Sequence, residues 1–129
     1  RILGTNHAMI VHGYEGLDEI STTSSTKISE LNLDGSITSK AVSPSDFNLK
    51  TATIDDLKGG KPEKNAKILI DILNGKDKGY KRDIVLINAG AGIYIGGKAN
   101  SINEGIKLAE ESIDSGRAFD TLIKLQAVK

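Results

Sequence analysis

Cysteine and tryptophan are both absent from these 129 residues. Without cysteine there is no disulfide framework, no thiolate zinc site and no thiol nucleophile, and an intracellular, cytoplasmic setting is favoured. An excess of either charge is lacking as well: 17 Lys+Arg stand against 17 Asp+Glu, with the two signs interspersed. That balance excludes a whole-chain basic footprint for nucleic acid or anionic lipid. Long apolar runs are also missing. The least polar stretch, Ile84 to Gly97, is interrupted by Asn88 and falls short of the roughly 18 residues a membrane span needs. The chain opens at Arg1 without an initiator Met or a charged-then-apolar leader, and it reads as a piece cut from a longer polypeptide. What is present, 38% hydrophobic residues, is enough for a single core.

Ala8-Met9-Ile10-Val11 is too short for a stable helix and runs into Gly13. It predicts a buried central strand, apolar on both faces as interior strands are. Gly13 to Gly16 is a turn, and the hydroxyl-rich stretch Ser21 to Thr26 reads as an exposed active-site loop or merely a long polar loop. Lys27 to Leu31 alternates with period two, Asp34-Gly35 is a turn signal, and Ile37 to Val42 pairs back, which predicts a β-hairpin. After Pro44 to Phe47 breaks the strand, Asn48 suits a left-handed backbone position. Pro62 opens a helix with Ala66, Leu69, Ile70 and Leu73 on one face and Gly75 as its stop. Ser101 to Glu104 has the capping-box pattern ahead of Ile102, Ile106, Ala109 and Ile113, and Gly116 breaks that helix before Phe119, Leu122 and Ile123. By periodicity alone Asp83 to Ala99 reads equally as strand or helix.

Three constellations bear on chemistry. Asn88 to Gly96 contains a Gly-x-Gly, but its spacing is not that of a dinucleotide loop and no acidic residue stands about 20 positions on. Small residues that let a helix pack closely are the better explanation. The adjacent carboxylates Asp18 and Glu19 follow a strand and a glycine turn, where open α/β sheets place ligands. Such a pair holds Mg²⁺ only when substrate phosphates and waters complete the shell, and taken alone it reads as helix N-terminal charge. His7 and His12 have no third metal ligand in a known spacing, so each is assigned a structural or hydrogen-bonding role, with His12 close enough in sequence to support the acidic pair. The hydroxyls of Ser21 to Thr26 lack a Gly-x-Ser-x-Gly context. Lys76, Lys78, Lys81 and Arg82 read as a solvated basic loop.

From Val11 to Ser21 the sequence VHGYEGLDEIS resembles anthranilate phosphoribosyltransferases, and the likeness continues in order through nearly the whole chain. Its successive landmarks are Pro44-Ser45-Asp46-Phe47, Gly59-Gly60, Asn65-Ala66, Arg82-Asp83, Asn88-Ala89, Ser101 to Gly105, Leu108-Ala109 and Ile113 to Ala118. One Asp-Glu dipeptide carries no weight; an ordered series at family-like spacing does. The resemblance implies an α/β fold, the C-terminal portion of a mixed-sheet domain of the nucleoside phosphorylase/phosphoribosyltransferase type, with a β-hairpin and three or more helices. On this reading residues 1–129 are one partial domain, and the N-terminal helical domain and glycine-rich pyrophosphate loop lie outside it. Asp83 to Ala99 becomes a helix, one weakened by Gly90, Gly92, Gly96 and Gly97 and so dependent on packing.

The implied activity is transfer of phosphoribose from phosphoribosyl pyrophosphate to the amine of anthranilate, in tryptophan biosynthesis. The implied metal ligands are Asp18 and Glu19, with Mg²⁺ on the donor; no catalytic acid or base is implied within these residues. The whole enzyme is expected as a cytoplasmic homodimer with no nucleic-acid or membrane partner, and the isolated segment as inactive and self-associating. Alternatives are a pyrimidine nucleoside phosphorylase-like enzyme, or a non-catalytic binding relative of the same fold.

Overall fold

The computed structural model describes residues 2–128. Three strands, β1 (Ala8–Gly13), β2 (Thr26–Leu31) and β3 (Ile37–Val42), form an antiparallel sheet in the order β1-β2-β3. Val11 faces Ile28, and Ile28 faces Lys40. This register puts Met9, Val11, Ile28, Glu30 and Val42 on one face, since side chains alternate along a strand. The hairpin forms as its sequence predicts: Gly35 adopts φ 81° and donates its N–H to the Asn32 carbonyl at 2.9 Å.

β1 stands at an edge of this sheet, not in the interior position its apolar pattern predicts. The described residues supply no fourth strand beside β1 and no layer over the outer face, where Ile10 is 74% exposed and Ile37 is 64% exposed.

Five helices follow: α1 (Ile54–Leu57), α2 (Pro62–Leu73), α3 (Tyr80–Ile95), α4 (Ile102–Asp114) and α5 (Arg117–Gln126). A short 3₁₀ turn, Pro44–Phe47, precedes them and closes on Asn48 at φ 58°, the left-handed conformation expected there. The segment from Asp83 is helical, as the resemblance implies, and ends at Ile95, with Gly96 and Gly97 in the turn beyond. α3 covers the inner face of the sheet: Ile87 and Ala91 join Ile20, Ile28, Val42, Phe47 and Ile102 in one core cluster.

A second cluster, Ile72, Leu86, Ala109 and Ile113, lies between α2, α3 and α4. Here the face of α2 differs from expectation. Ile72 is buried with Ile68 and Leu73 packed beside it, while Ala66, Leu69 and Ile70 are exposed. Apolar residues surround much of this helix, so its own period does not select a face; contact with Ala109 and Ile113 of α4 does. The N-terminus of α4 is capped by Ser101, whose Oγ accepts from the Glu104 N–H at 3.1 Å. The reciprocal bond is displaced by one residue, because the Glu104 carboxylate accepts from the Asn100 N–H at 2.8 Å. Gly116, at φ 81°, separates α4 from α5 as predicted.

α3 and α4 approach more closely than any side chain permits at one point. A Cβ on Gly105 would stand 2.1 Å from the Gly90 carbonyl oxygen, and one on Gly90 would stand 2.6 Å from the Ile106 nitrogen. Gly90 of the Gly-x-Gly is therefore a packing device, and the motif lies within α3 and not in a phosphate loop. Two further glycines act similarly beside α2: Asn65 Oδ1 accepts from the Gly60 N–H at 2.7 Å, its Nδ2 donates to the Gly60 carbonyl at 3.0 Å, and a Cβ on Gly59 would collide with that side chain. No helix among the described residues is long and apolar enough to cross a membrane.

Candidate functional site

The chain leaves β1 through a turn held by the Gly13 N–H donating to the Leu17 carbonyl at 2.9 Å and the Gly16 N–H donating to the Gly13 carbonyl at 2.8 Å. Gly16 takes φ 106°, where a residue with a Cβ is strained. Asp18 and Glu19 come next, in irregular structure and not in a first helical turn, which removes helix N-terminal charge as their explanation. Asp18 is exposed and Glu19 half-buried.

Burial first, and then the neighbouring charge of Asp18, hold the Glu19 carboxyl above its ordinary value. A divalent cation between the two carboxylates reverses that repulsion, so the donor set fits a hard cation. Two protein ligands are few, however, and no group of three or more His, Asp or Glu side chains able to hold a metal occurs among the described residues. The remaining oxygens must come from phosphate and water, the mode Mg²⁺ favours at substrate sites.

The hydroxyl-rich loop that follows is largely inside, contrary to the exposed loop expected. Ser21, Thr22 and Thr26 are buried. The Ser21 N–H donates to Thr26 Oγ1 at 2.9 Å, the Ala52 N–H donates to the Thr22 carbonyl at 2.8 Å, and the hydroxyls of Ser21 and Thr23 both donate to the Glu15 carboxylate. Burial alone would raise Glu15; the hydrogen bonds from Ser21 and Thr23 outweigh it and hold the carboxyl below its ordinary value. The loop thus uses its hydroxyls to tie itself down, and the Thr22 hydroxyl is buried without a partner. His12 is exposed and helps lower the Glu15 carboxyl, and no hydrogen bond among the described residues joins it to the acidic pair.

His7 has the structural role expected of it. Its Nε2 lies 2.9 Å from Glu30 Oε1, and its ring meets Tyr94 edge-on at 5.3 Å. Tyr94 donates its hydroxyl to the same Glu30 oxygen at 2.6 Å. Burial raises the Glu30 carboxyl, but these two hydrogen bonds prevail and lower it. The cluster borders a cavity of about 420 Å³ and is not evident from the sequence, where the one signal is an acid sharing a strand face with Ile28.

The basic loop is corrected at Arg82. Its guanidinium is only 3% exposed; it donates to Asp114 at 2.8 and 3.1 Å and to Glu110 at 3.3 Å, and Lys78 reaches Asp114 at 3.0 Å. Lys81 donates to the Asp56 carbonyl. These cations tie α3 and the loop before it to α4 and α1 and are not a free phosphate surface.

The sequence profile of the glycosyl transferase family, a/b domain, matches residues 1–119, and the chain belongs to that family.

Within the family, the likeness is to anthranilate phosphoribosyltransferases. That of Alkaliphilus metalliredigens is 50% identical over 123 residues, 95% of this chain and 36% of the relative; that of Methanocorpusculum labreanum is 50% identical over 124 residues, 96% and 36%. The crystal structure of the Thermus thermophilus enzyme superposes with a TM-score of 0.78 at 36% identity, covering 92% of this chain and 34% of that one. The Saccharomyces cerevisiae enzyme in complex with PRPP and Mg gives 0.78 at 30% identity, covering 88% and 32%. The chain spans about a third of the length of these relatives.

Proposed function

We propose that this chain is the C-terminal part of the α/β domain of an anthranilate phosphoribosyltransferase, and that Asp18 and Glu19 are its contribution to the active site. The observation that carries the reading is the acidic pair on an anchored loop at the end of β1, in a chain half identical to such enzymes. The reaction forms a C–N bond from the anthranilate amine to the ribose carbon and breaks that carbon's bond to pyrophosphate. Negative charge grows on the leaving group while positive character grows on the sugar. Mg²⁺, when bound, neutralises phosphate oxygens as the pyrophosphate departs. The chain's own part would be to hold that cation through two fixed carboxylates beside the departing pyrophosphate, so that little reorganisation is needed as the bond breaks. Anthranilate's amine needs little activation, so no general base is required of these residues, and the proton it loses can pass to water or the departing pyrophosphate. The pyrophosphate cradle and acceptor pocket belong to the other two thirds of the complete protein, a cytoplasmic homodimer on this reading.

In the complete transferase carrying this segment, Asp18→Asn or Glu19→Gln is expected to lower kcat/KM for phosphoribosyl pyrophosphate by about 10²-fold, the scale of losing one preorganised charge stabiliser. Steady-state kinetics at saturating Mg²⁺ that return wild-type values for both variants remove the pair from the mechanism.

A further inference from the structure

We propose that Asn88 is a positioning residue for the acidic pair: from the middle of α3 its carboxamide grips the Ile20 peptide group on both sides and so fixes where Asp18 and Glu19 stand. The inference rests on the reading of that pair as metal ligands.

The Ile20 N–H donates to Asn88 Oδ1 at 2.8 Å, and Asn88 Nδ2 donates back to the Ile20 carbonyl at 2.9 Å. The second amide hydrogen goes to the Ile84 carbonyl one turn earlier in α3, at 2.9 Å. The oxygen and both hydrogens are therefore engaged, and the bond to Ile84 fixes which way the amide points. No other common side chain of this length both accepts and donates in one plane. The arrangement copies a rung of a β-ladder at a place where the loop has no neighbouring strand.

The grip falls one residue after Glu19. Ile20 is 1% exposed, with its side chain in the core cluster against Ile87 and Ala91 of the same helix. α3 is in turn fixed to α4 at the Gly90–Gly105 contact. Helix pair, carboxamide, Ile20 and acidic pair thus form a continuous chain of contacts.

The rest of the loop has other anchors. Thr22 is held by the Ala52 N–H, Ser21 by Thr26 and Glu15, and the Ser25 carbonyl by the Tyr14 N–H at 2.9 Å. Those contacts lie outside the Asp18–Glu19–Ile20 stretch. On the other side of the pair the Leu17 carbonyl is held by the Gly13 N–H, and the Ile20 side chain stays in the core; removing the Asn88 carboxamide therefore frees the Ile20 peptide group and loosens the pair while the fold around it persists. Groups that orient metal ligands from behind typically change metal affinity by about 10- to 100-fold when lost.

The test uses the complete transferase carrying this segment, isotope-labelled, with Mn²⁺ and inorganic pyrophosphate as probes and backbone NMR as readout. In the wild type, Mn²⁺ in the presence of pyrophosphate broadens the Asp18 and Glu19 amide signals. Asn88→Ala, which leaves room for water at the Ile20 peptide, is expected to weaken that titration about 10-fold, with the signals of Glu30, Tyr94 and Arg82 unmoved. Asn88→Ser, whose hydroxyl is too short to reach the Ile20 peptide and turns back to the Ile84 carbonyl, behaves as Asn88→Ala. Equal Mn²⁺ affinity in the wild type and a folded Asn88→Ala overturns the role of Asn88 and leaves the metal reading standing. No broadening at Asp18 and Glu19 in the wild type overturns the metal reading and this inference with it. Unfolding of both variants shows that Asn88 holds the fold and not the pair, and overturns the inference as well.

Discussion

Replacing Gly105 by Ala tests whether the seam between α3 and α4 depends on two bare backbones meeting. On helix propensity alone the change is favourable by about 1 kcal/mol. The structure reverses the sign: the new methyl would stand 2.1 Å from the Gly90 carbonyl oxygen and 2.9 and 3.0 Å from two further Gly90 backbone atoms. None of these can rotate away, so the helices must separate by about an ångström, which strips dispersion contacts along the seam. Overpacking of this kind costs about 1–3 kcal/mol and sometimes more; a methyl 2.1 Å from a backbone oxygen belongs at the top of that range, so against the propensity gain a net loss of about 2 kcal/mol is expected. Gly92, two residues along α3 from Gly90, is the internal control. A Cβ there meets nothing within 4 Å, so Gly92→Ala keeps the propensity gain of up to about 1 kcal/mol. With an m-value of about 2 kcal/mol/M in urea, the midpoint falls by about 1 M in Gly105→Ala and rises by up to about 0.5 M in Gly92→Ala. Urea titrations followed by circular dichroism decide the matter. If Gly105→Ala is as stable as the wild type, the close approach is not part of what holds α3 and α4 together, and the packing role given to these glycines fails.

The isolated chain should show no phosphoribosyl transfer, because binding, orientation and charge stabilisation must act together; donor-dependent loss of anthranilate fluorescence with the pure chain would refute this division of labour. Self-association is expected, since β1 is an unpaired edge with Ile10 and Ile37 exposed on one face and an apolar groove lined by Met9, Val11, Ala91 and Ile95 on the other. Sedimentation velocity across a concentration series that finds only monomer, with no binding of an apolar dye, counts against it. Hydrogen bonds from Arg82 and then Lys78 hold the Asp114 carboxyl well below the usual carboxylate range. Its stabilising contribution is therefore fully present above the ordinary Asp value of about 4 and is lost as pH falls through the depressed one. Asp114→Asn should lower stability at neutral pH and flatten the acid limb of the stability curve; an acid limb identical to the wild type's sinks that assignment.

Local chemistry determined a good deal of this protein from sequence alone. Asp34-Gly35 between alternating runs specifies a hairpin, Asn48 suits a left-handed position, Pro62 and Gly75 bracket a helix, and Gly116 stops another, because each signal acts within a few residues of chain. The ordered landmarks from Val11 to Ala118 likewise carried the family, and through it the helix at Asp83 that periodicity left open. Other features are decided only when distant segments meet. α2 offers apolar residues on more than one side, and contact with α4 chooses Ile68 and Ile72 over Leu69 and Ile70. Arg82 looks solvated beside three lysines until α4 brings Asp114 and Glu110 to it. Gly90 and Gly105 are 15 positions apart and weaken their helices one by one; their value exists only where the two backbones touch. Asn88 is a polar interruption in an apolar run until Ile20, 68 residues earlier in the chain, is laid against it. The family resemblance names the carboxylates, but a hydrogen bond from the Ile20 backbone to the Asn88 side chain across that separation is a property of the folded chain alone.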